Sequence, residues 1–297
     1  MTGDEDRQGE ITVNVIRSAE EMQQAAEALR LSGKVLALVP TMGFFHEGHL
    51  ELMRVGKRHA DVVMISIFVN PTQFGPKEDL ETYPRDLEGD LLKAETVEVD
   101  LAFVPSAPMM YPDSFQTRVS VEKMTKHLCG ISRPTHFDGV TTVVAKLFNI
   151  AKPHIAVFGQ KDFQQLTVVT RMVQDLNMDV RIIGVPTVRE PDGLAMSSRN
   201  SFLNADERRS ALCLKRSLDL ARTLVRKGEV RAEPLIEAVS KMILGYPFTE
   251  IDYVNLCNPV SMEDVETVEG ETLLALAVRV GKTRLIDNCL LSREMQH

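Results

Sequence analysis

The chain has 297 residues, 44% hydrophobic and 26% charged, enough to bury a full core without disulfide or metal support and to form about two domains. Asp and Glu outnumber Lys and Arg by 42 to 34, giving a net charge of −8, and acid exceeds base on both sides of residue 188. This excludes duplex DNA or RNA as the main partner, because phosphate neutralisation needs clustered basic side chains, and leaves an anionic small molecule open.

Residues 1–10 are polar and predicted to fray, and their acidic sequence carries no secretory signal. No apolar run approaches the ~18–20 residues of a membrane span, so no membrane partner is expected. Cys129, Cys213, Cys257 and Cys289 show no Cys-x-x-Cys spacing and are predicted to be reduced structural thiols in a cytoplasmic protein. Buried-strand runs are predicted at 35–39, 62–69, 101–104, 155–158 and 180–185. Helical spacing lies between them at 49–60, 87–95, 140–151 and 162–176. Apolar runs joined by helices predict an α/β fold, a parallel sheet with helices on both faces. After residue 189 the pattern changes. Residues 205–244 read as two helices split near Gly228, with Pro234 in a first turn, followed by strands at 251–256, 273–280 and 283–288. The predicted division is therefore 1–188 and a smaller α+β domain at 189–297, with the boundary in the loop 189–193.

The segment Pro40-Thr-Met-Gly-Phe-Phe-His46-Glu-Gly48-His49 follows the first long strand. Pro40 is expected to end that strand, Gly43 and Gly48 to permit a tight loop, and a helix to begin near His49. In an open α/β sheet, ligands gather at the carboxyl ends of strands, and a helix N-terminus offers N–H groups to phosphate. His46 and His49 could both donate there. They are one residue too close for a zinc-binding His-Glu-x-x-His, and no dinucleotide fingerprint is present. Two solvated loop histidines are the plainer alternative.

Three further segments invite the same pair of readings. Phe68-Val-Asn70-Pro-Thr72-Gln73-Phe-Gly75 sets neutral hydrogen-bonding groups beside aromatics, which suits a small-molecule pocket or an ordinary turn. The acidic run after Tyr83 and Arg85, which includes Asp90, suits Mg²⁺ beside phosphates or a solvated helix start. Phe158-Gly159-Gln160-Lys161-Asp162-Phe-Gln164-Gln165 offers a turn at Gly159, a cap at Asp162 and a cation at Lys161, fit for polyphosphate or for a plain capped helix. Asp192-Gly-Leu-Ala-Met196-Ser197-Ser198-Arg199-Asn200 has two hydroxyls and an arginine that could close over a leaving group, or is common loop composition.

Together with Arg133-Pro-Thr-His-Phe137, these segments resemble the pantoate–β-alanine ligase family in order and spacing, over about residues 11–290. The resemblance implies ATP-dependent joining of pantoate to β-alanine through a pantoyl adenylate, releasing AMP and pyrophosphate. It also implies a Rossmann-like nucleotidyltransferase core, related in fold to class I aminoacyl-tRNA synthetases, and a homodimer. Carried onto this sequence, Met42, Gly43, Phe44, Phe45, His46, Glu47, Gly48 and His49 would form the first ATP segment, with His49 the proton donor or transition-state stabiliser. Gly159, Gln160, Lys161 and Asp162 would form the second, with Lys161 on the phosphates. Val188 would meet adenine through its backbone. Met196, Ser197, Ser198 and Arg199 would match the synthetases' Lys-Met-Ser-Lys-Ser loop. Gln73 and Gln165 would hold pantoate, Gln73 also lying near β-alanine, and Asp90 would neighbour Mg²⁺. His46, His49, Lys161, Arg199 and Mg²⁺ would then form a cationic centre in an acidic chain. Phe44-Phe45 replaces a smaller Ala-Leu pair and is expected to narrow the helix start while leaving the backbone donors. Gln160 stands where an acid is frequent, with little effect expected. Contacts of Tyr83 and His136 with substrate stay open. A nucleotidyltransferase acting on a phosphorylated cofactor precursor and a non-catalytic nucleotide-binding regulator are the alternatives. The two glutamines and the intact His46, His49, Lys161 and Arg199 weigh against them.

Overall fold

The structure, a computed structural model, describes residues 13–76 and 78–293; the polar start at residues 1–10 lies outside them. The chain begins with β1 (Asn14–Ile16), α1 (Ala19–Leu31), β2 (Leu36–Thr41), α2 (Glu47–His59) and β3 (Val62–Ile67). It continues through α3 (Leu87–Glu95), β4 (Leu101–Phe103), the single turns α4 (Ala107–Met110) and α5 (Cys129–Ser132), and α6 (His136–Ala151). Then follow β5 (Ile155–Gly159), α7 (Phe163–Asp175) and β6 (Arg181–Val185). The six strands pair in parallel in the order β1-β4-β3-β2-β5-β6.

Successive residues of a strand point to opposite faces, and here each face buries its own cluster. Leu36 and Leu38 pack with α1, α6 and α7 through Met22, Val144 and Met172. Ala37 and Val39 pack with α2 and α3 through Met53 and Leu91. The helices therefore cover both faces, as the continuous apolar runs predict.

The C-terminal part comprises α8 (Ala205–Ala211), α9 (Cys213–Arg226) and α10 (Ala232–Leu244), then the antiparallel strands β7 (Thr249–Cys257), β8 (Thr272–Val280) and β9 (Thr283–Leu291). Its core joins α9 and α10 to the sheet through Leu218, Leu235, Leu274 and Leu276. A smaller cluster links it to the parallel sheet's helices, with Phe137 and Val168 meeting Cys257 and Leu273. Cys213, Cys257 and Cys289 are buried and all four cysteines are free. Burial pushes the three buried thiols up to about 12, so they serve as packing groups. Among the described residues no helix is long and apolar enough to cross a membrane.

Several expectations need correction. Pro40 does not end its strand; β2 runs on to Thr41. Thr41 faces β3, donating to Ser66 and accepting from Phe68, so the position before it faces β5, where pairing has stopped at Leu38. The N–H that proline lacks has no acceptor to miss there. Residues 205–244 hold three helices, because the chain breaks at Leu212 as well as near Gly228. The short β1 and α1, whose apolar residues are mostly alanine and in which Met22 and Ala26 are buried, carried too little apolar signal to predict.

One glycine ties this frame to the site. A Cβ on Gly139 of α6 would fall 2.4 Å from the carbonyl oxygen of Thr72 and 2.6 Å from the nitrogen of Gln73. Both are backbone atoms that cannot swing aside. Gly139→Ala is therefore expected to push the turn Pro71–Gln73 off α6, costing about 1–3 kcal/mol as an overpacking change. A lower melting temperature would check this.

Candidate active site

The carboxyl ends of β2, β3 and β5 open on one cavity of about 240 Å³, closed on its far side by residues 196–199. The loop after β2 is held from α3. Gly43 turns the chain at φ +84°, and a Cβ there would lie 2.9 Å from an Asp90 oxygen. The next two residues donate their N–H groups to the Asp90 carboxylate, Phe44 to Oδ2 at 2.7 Å and Phe45 to Oδ1 at 2.6 Å. Lys93 donates to the Phe45 carbonyl at 3.0 Å.

This clamp delivers His46 to the start of α2, where it caps the helix. Nδ1 of His46 accepts the Gly48 N–H at 3.1 Å, and Nδ1 of His49 accepts the His46 N–H at 3.3 Å. The rings stand 4.1 Å apart. Since each Nδ1 accepts, each neutral ring carries its hydrogen on Nε2; these tautomers are assigned from the hydrogen bonds. Burial, with Lys161 nearby, lowers His46 to about 4. Burial and the neighbouring His46 hold His49 well below the usual histidine range. The pair offers two neutral N–H donors to the cavity, not two cations.

The second wall is built around Asn70. Its buried amide donates to Gln73 Oε1 and to the Gly139 carbonyl, both at 3.1 Å. Gln73 Nε2 lies 3.2 Å from the Met42 sulfur. Arg133 donates to the Gln73 carbonyl at 3.1 Å, and His136 Nδ1 lies 2.9 Å from the same oxygen. His136 therefore carries its hydrogen on Nδ1, the opposite tautomer to His46 and His49, and burial lowers it to about 4. Gln165 lines the cavity, and among the described residues its side chain has no hydrogen-bond partner.

The third wall carries the cations. Lys161 sits in the turn Gln160–Asp162, its Nζ 3.8 Å from Asp162 Oδ2. Asp162 makes no capping bond to α7, contrary to expectation. Gly159 has φ −81° with open space at its Cβ position, so it serves by leaving room in the cavity, not by permitting the turn. Arg199 donates to both oxygens of Asp79, at 2.8 and 2.9 Å, and Arg133 donates to both of Glu78, with Nε at 2.7 Å. Burial raises each carboxyl's pKa, but the arginine's hydrogen bonds and charge outweigh it and leave both below their usual range. Arg199 is thus already paired. Lys161 is paired too, more loosely, with Asp162, so the expected cationic centre consists of two neutral imidazoles and cations that already have carboxylate partners.

The cavity assembles residues from four separated segments, and the comparisons agree on what such an assembly belongs to. The sequence model of the family described as Pantoate-beta-alanine ligase matches residues 14–290. The chain belongs to this family. It is 57% identical to a pantothenate synthetase of Geobacter sulfurreducens, over 95% of this chain and 100% of that one. It is 54% identical to one of Syntrophus aciditrophicus, over 95% and 99%. A crystal structure of pantothenate synthetase from Thermus thermophilus superposes with a TM-score of 0.89 at 40% identity, covering 94% of this chain and 100% of that one. The Francisella tularensis ligase complexed with beta-gamma ATP and beta-alanine gives 0.78 at 32% identity, covering 94% and 97%.

Of the residues that the ligase resemblance singles out, Met42, His46, Gly48, His49, Gln73, Gly159, Lys161, Asp162, Gln165, Val188, Met196, Ser197, Ser198 and Arg199 line the cavity. Gly43, Phe44, Phe45, Glu47 and Gln160 stand behind it. Phe45 is buried with its ring 5.4 Å from that of His49, and Glu47 is exposed and paired with Arg54. The N–H groups of Phe44 and Phe45 are not left for a ligand, since Asp90 takes both. Asp90 in turn does not fit the metal role. Both its oxygens accept backbone N–H groups, it is 1% exposed, and burial raises its pKa despite those bonds. Among the described residues no group of three or more His, Cys, Asp or Glu could hold a metal ion. Tyr83, buried with its ring 5.9 Å from the Arg199 guanidinium, and Arg133 and His136 also line the cavity. Their motifs were visible in the sequence, but their roles were not.

Nitrogen-15 NMR of the imidazoles should show His46 and His49 as neutral Nε2–H tautomers and His136 as Nδ1–H near pH 6, where a free histidine is substantially protonated. The unfolded chain protonates these rings near 6.5, whereas folded His46 and His136 do so only at about 4. Between those values the unfolded state binds more protons, so this contribution to stability is complete above 6.5 and is lost as pH falls toward 4. Urea unfolding across that range should show His46→Gln reducing the slope; an unchanged slope would contradict the assignment.

Proposed function

We propose that the chain condenses pantoate with β-alanine, consuming ATP and releasing AMP and pyrophosphate, with a pantoyl adenylate held between the two steps. The observation that carries this reading is the convergence of His46, His49, Gln73, Lys161, Gln165 and the 196–199 loop on a single cavity, in a member of this ligase family. A carboxylate oxygen of pantoate attacks the α-phosphorus, and the bond to the bridging oxygen of pyrophosphate breaks. The β-alanine amine then attacks the acyl carbon, AMP leaves with the carboxyl oxygen, and the amine loses a proton.

The protein's part is positioning and charge stabilisation. The Nε2–H groups of His46 and His49 donate to phosphate oxygens as charge builds there, without taking or giving a proton. Lys161 supplies the charge. Val188 meets adenine through its backbone, and Met196 to Arg199 cover the phosphates, with Arg199 exchanging Asp79 for phosphate. Gln73 and Gln165 read the hydroxyls of pantoate. Mg²⁺ would arrive with the ATP phosphates and neutralise part of their charge, since Asp90, with both oxygens taken by backbone N–H groups, is not free to serve as its ligand. The division at residues 188 and 189, with the later part closing over the adenylate, belongs to the same reading because closure would exclude water from a labile intermediate. So do a cytoplasmic location and a homodimer, for which light scattering at twice the chain mass would be the check.

The deciding experiment is product analysis with pantoate, β-alanine and Mg-ATP. AMP and pyrophosphate should appear one-to-one with pantothenate, and ¹⁸O from the pantoate carboxyl should pass into AMP. ADP and phosphate would point instead to an acyl phosphate and overturn the adenylate.

Gln165→Ala is expected to raise the KM for pantoate far more than that for ATP, because a site built to hydrogen-bond a hydroxyl discriminates strongly when the contact is lost. Equal rises in both would remove Gln165 from the pantoate site.

A further inference from the structure

The turn that carries Lys161 has no side-chain cap of its own. Asp162, at the cap position of α7, gives no side-chain bond to the helix. The fastening comes from the other sheet. The side-chain amide of Asn288, in β9, donates to the carbonyl of Gln160 at 3.0 Å and to that of Lys161 at 2.8 Å. These two carbonyls belong to the peptide groups immediately before and after the Lys161 Cα. Fixing both peptide planes fixes φ and ψ of Lys161, and so the direction in which its side chain leaves the backbone.

Asn288 is itself held. Its N–H donates to Asp287 Oδ1 at 2.8 Å, and the buried Asp287 carboxylate takes a two-pronged contact from Arg189, at 2.7 and 2.9 Å. Arg189 also donates to the Gly193 carbonyl at 3.1 Å, and Met196 N–H donates to Val188 at 3.0 Å. Consecutive residues of β9 thus hold the Lys161 turn and the hairpin whose ends, Val188 and Met196, line the cavity.

We propose that Asn288 is a positioning residue for the first half-reaction: it aims Lys161 at the phosphates through the backbone carbonyls it holds, from outside the lining of the main cavity. The proposal rests on the ligase reading above. Misplacing a charge-stabilising group by about 1 Å can cost on the order of 100-fold, so Asn288→Ala should slow adenylate formation about 10- to 100-fold in single turnover. Amide formation from preformed pantoyl adenylate moves no pyrophosphate and should change little. Asn288→Gln keeps the amide donors on a longer arm and should recover part of the loss. Asn288→Asp sets a carboxylate against two carbonyls and should recover none.

The decisive comparison repeats Asn288→Ala in a Lys161→Ala background. If Asn288 acts through Lys161, the second change adds no further loss. A structural defect would slow both half-reactions and would persist without Lys161. Should Asn288→Ala fold poorly, Asn288→Ser, which keeps one donor, is compared across the same two backgrounds. Equal losses in the two half-reactions, or the same loss with and without Lys161, would overturn the positioning role alone. A wild-type chain that forms no AMP would overturn the ligase reading and this inference with it.

Discussion

Two consecutive backbone N–H groups donating to one buried carboxylate fix the loop on which the rest of the site is built. Phe44 and Phe45 share the two oxygens of Asp90. The loop would not stay in this form unaided. Phe44 sits at φ +54°, a region that costs a bulky residue about 1–3 kcal/mol. Charge-assisted bonds from two N–H groups offset both that strain and part of the desolvation of the carboxylate. Everything downstream takes its geometry from here. The chain leaves the clamp at His46, whose ring and backbone close the reciprocal cap with His49. That cap, and not the solvent, decides which ring nitrogen holds the hydrogen.

The consequence is a site that holds donors ready and keeps charge in reserve. Neutral imidazoles fixed in one tautomer can stabilise developing charge without first losing a proton or reorienting. The arginines are held differently. Arg133 and Arg199 each meet a carboxylate through two guanidinium nitrogens, a geometry that phosphate and carboxylate ligands also accept. A polyanion reaching them exchanges one charged partner for another, so the guanidinium need not be stripped of water afresh. A chain with net charge −8 can in this way gather cations at one cavity.

What the sequence made legible follows from where each signal lies. The parallel sheet was readable because strands buried on both faces write nearly continuous apolar runs, and the runs predicted at 62–69 and 155–158 correspond to β3 (Val62–Ile67) and β5 (Ile155–Gly159). The segments around His46, Gln73, Lys161 and Arg199 were readable because each packs several unusual residues into one short stretch. Electrostatic state was not readable. Whether Arg199 is free or paired depends on Asp79, 120 positions away. Asp90 shows why acidity alone misleads: a carboxylate at the start of a helix invites a metal, and only the path of the preceding loop reveals that its oxygens are taken.

Asn288 was wholly invisible for a related reason. Its neighbours Asp287 and Cys289 form no motif with it, and its work is done on carbonyls, which every residue possesses and no sequence motif marks. The alternation of faces along the strand is what allows the work. Adjacent strand residues face opposite sides of a sheet. Asp287 turns to the side of Leu285 and Cys289, in the core under α9, and there meets Arg189. Asn288 turns to the side of Leu290, which packs against the cluster containing Phe137 and Val168, and there meets the Lys161 turn. One strand of the small sheet therefore reaches both a loop of its own part and a loop of the parallel sheet. A relative movement of the two parts cannot leave both contacts unchanged, so the position of Lys161 is tied to the position of β9. The antiparallel sheet is in this sense part of the wall that carries Lys161, although none of its side chains lines the main cavity.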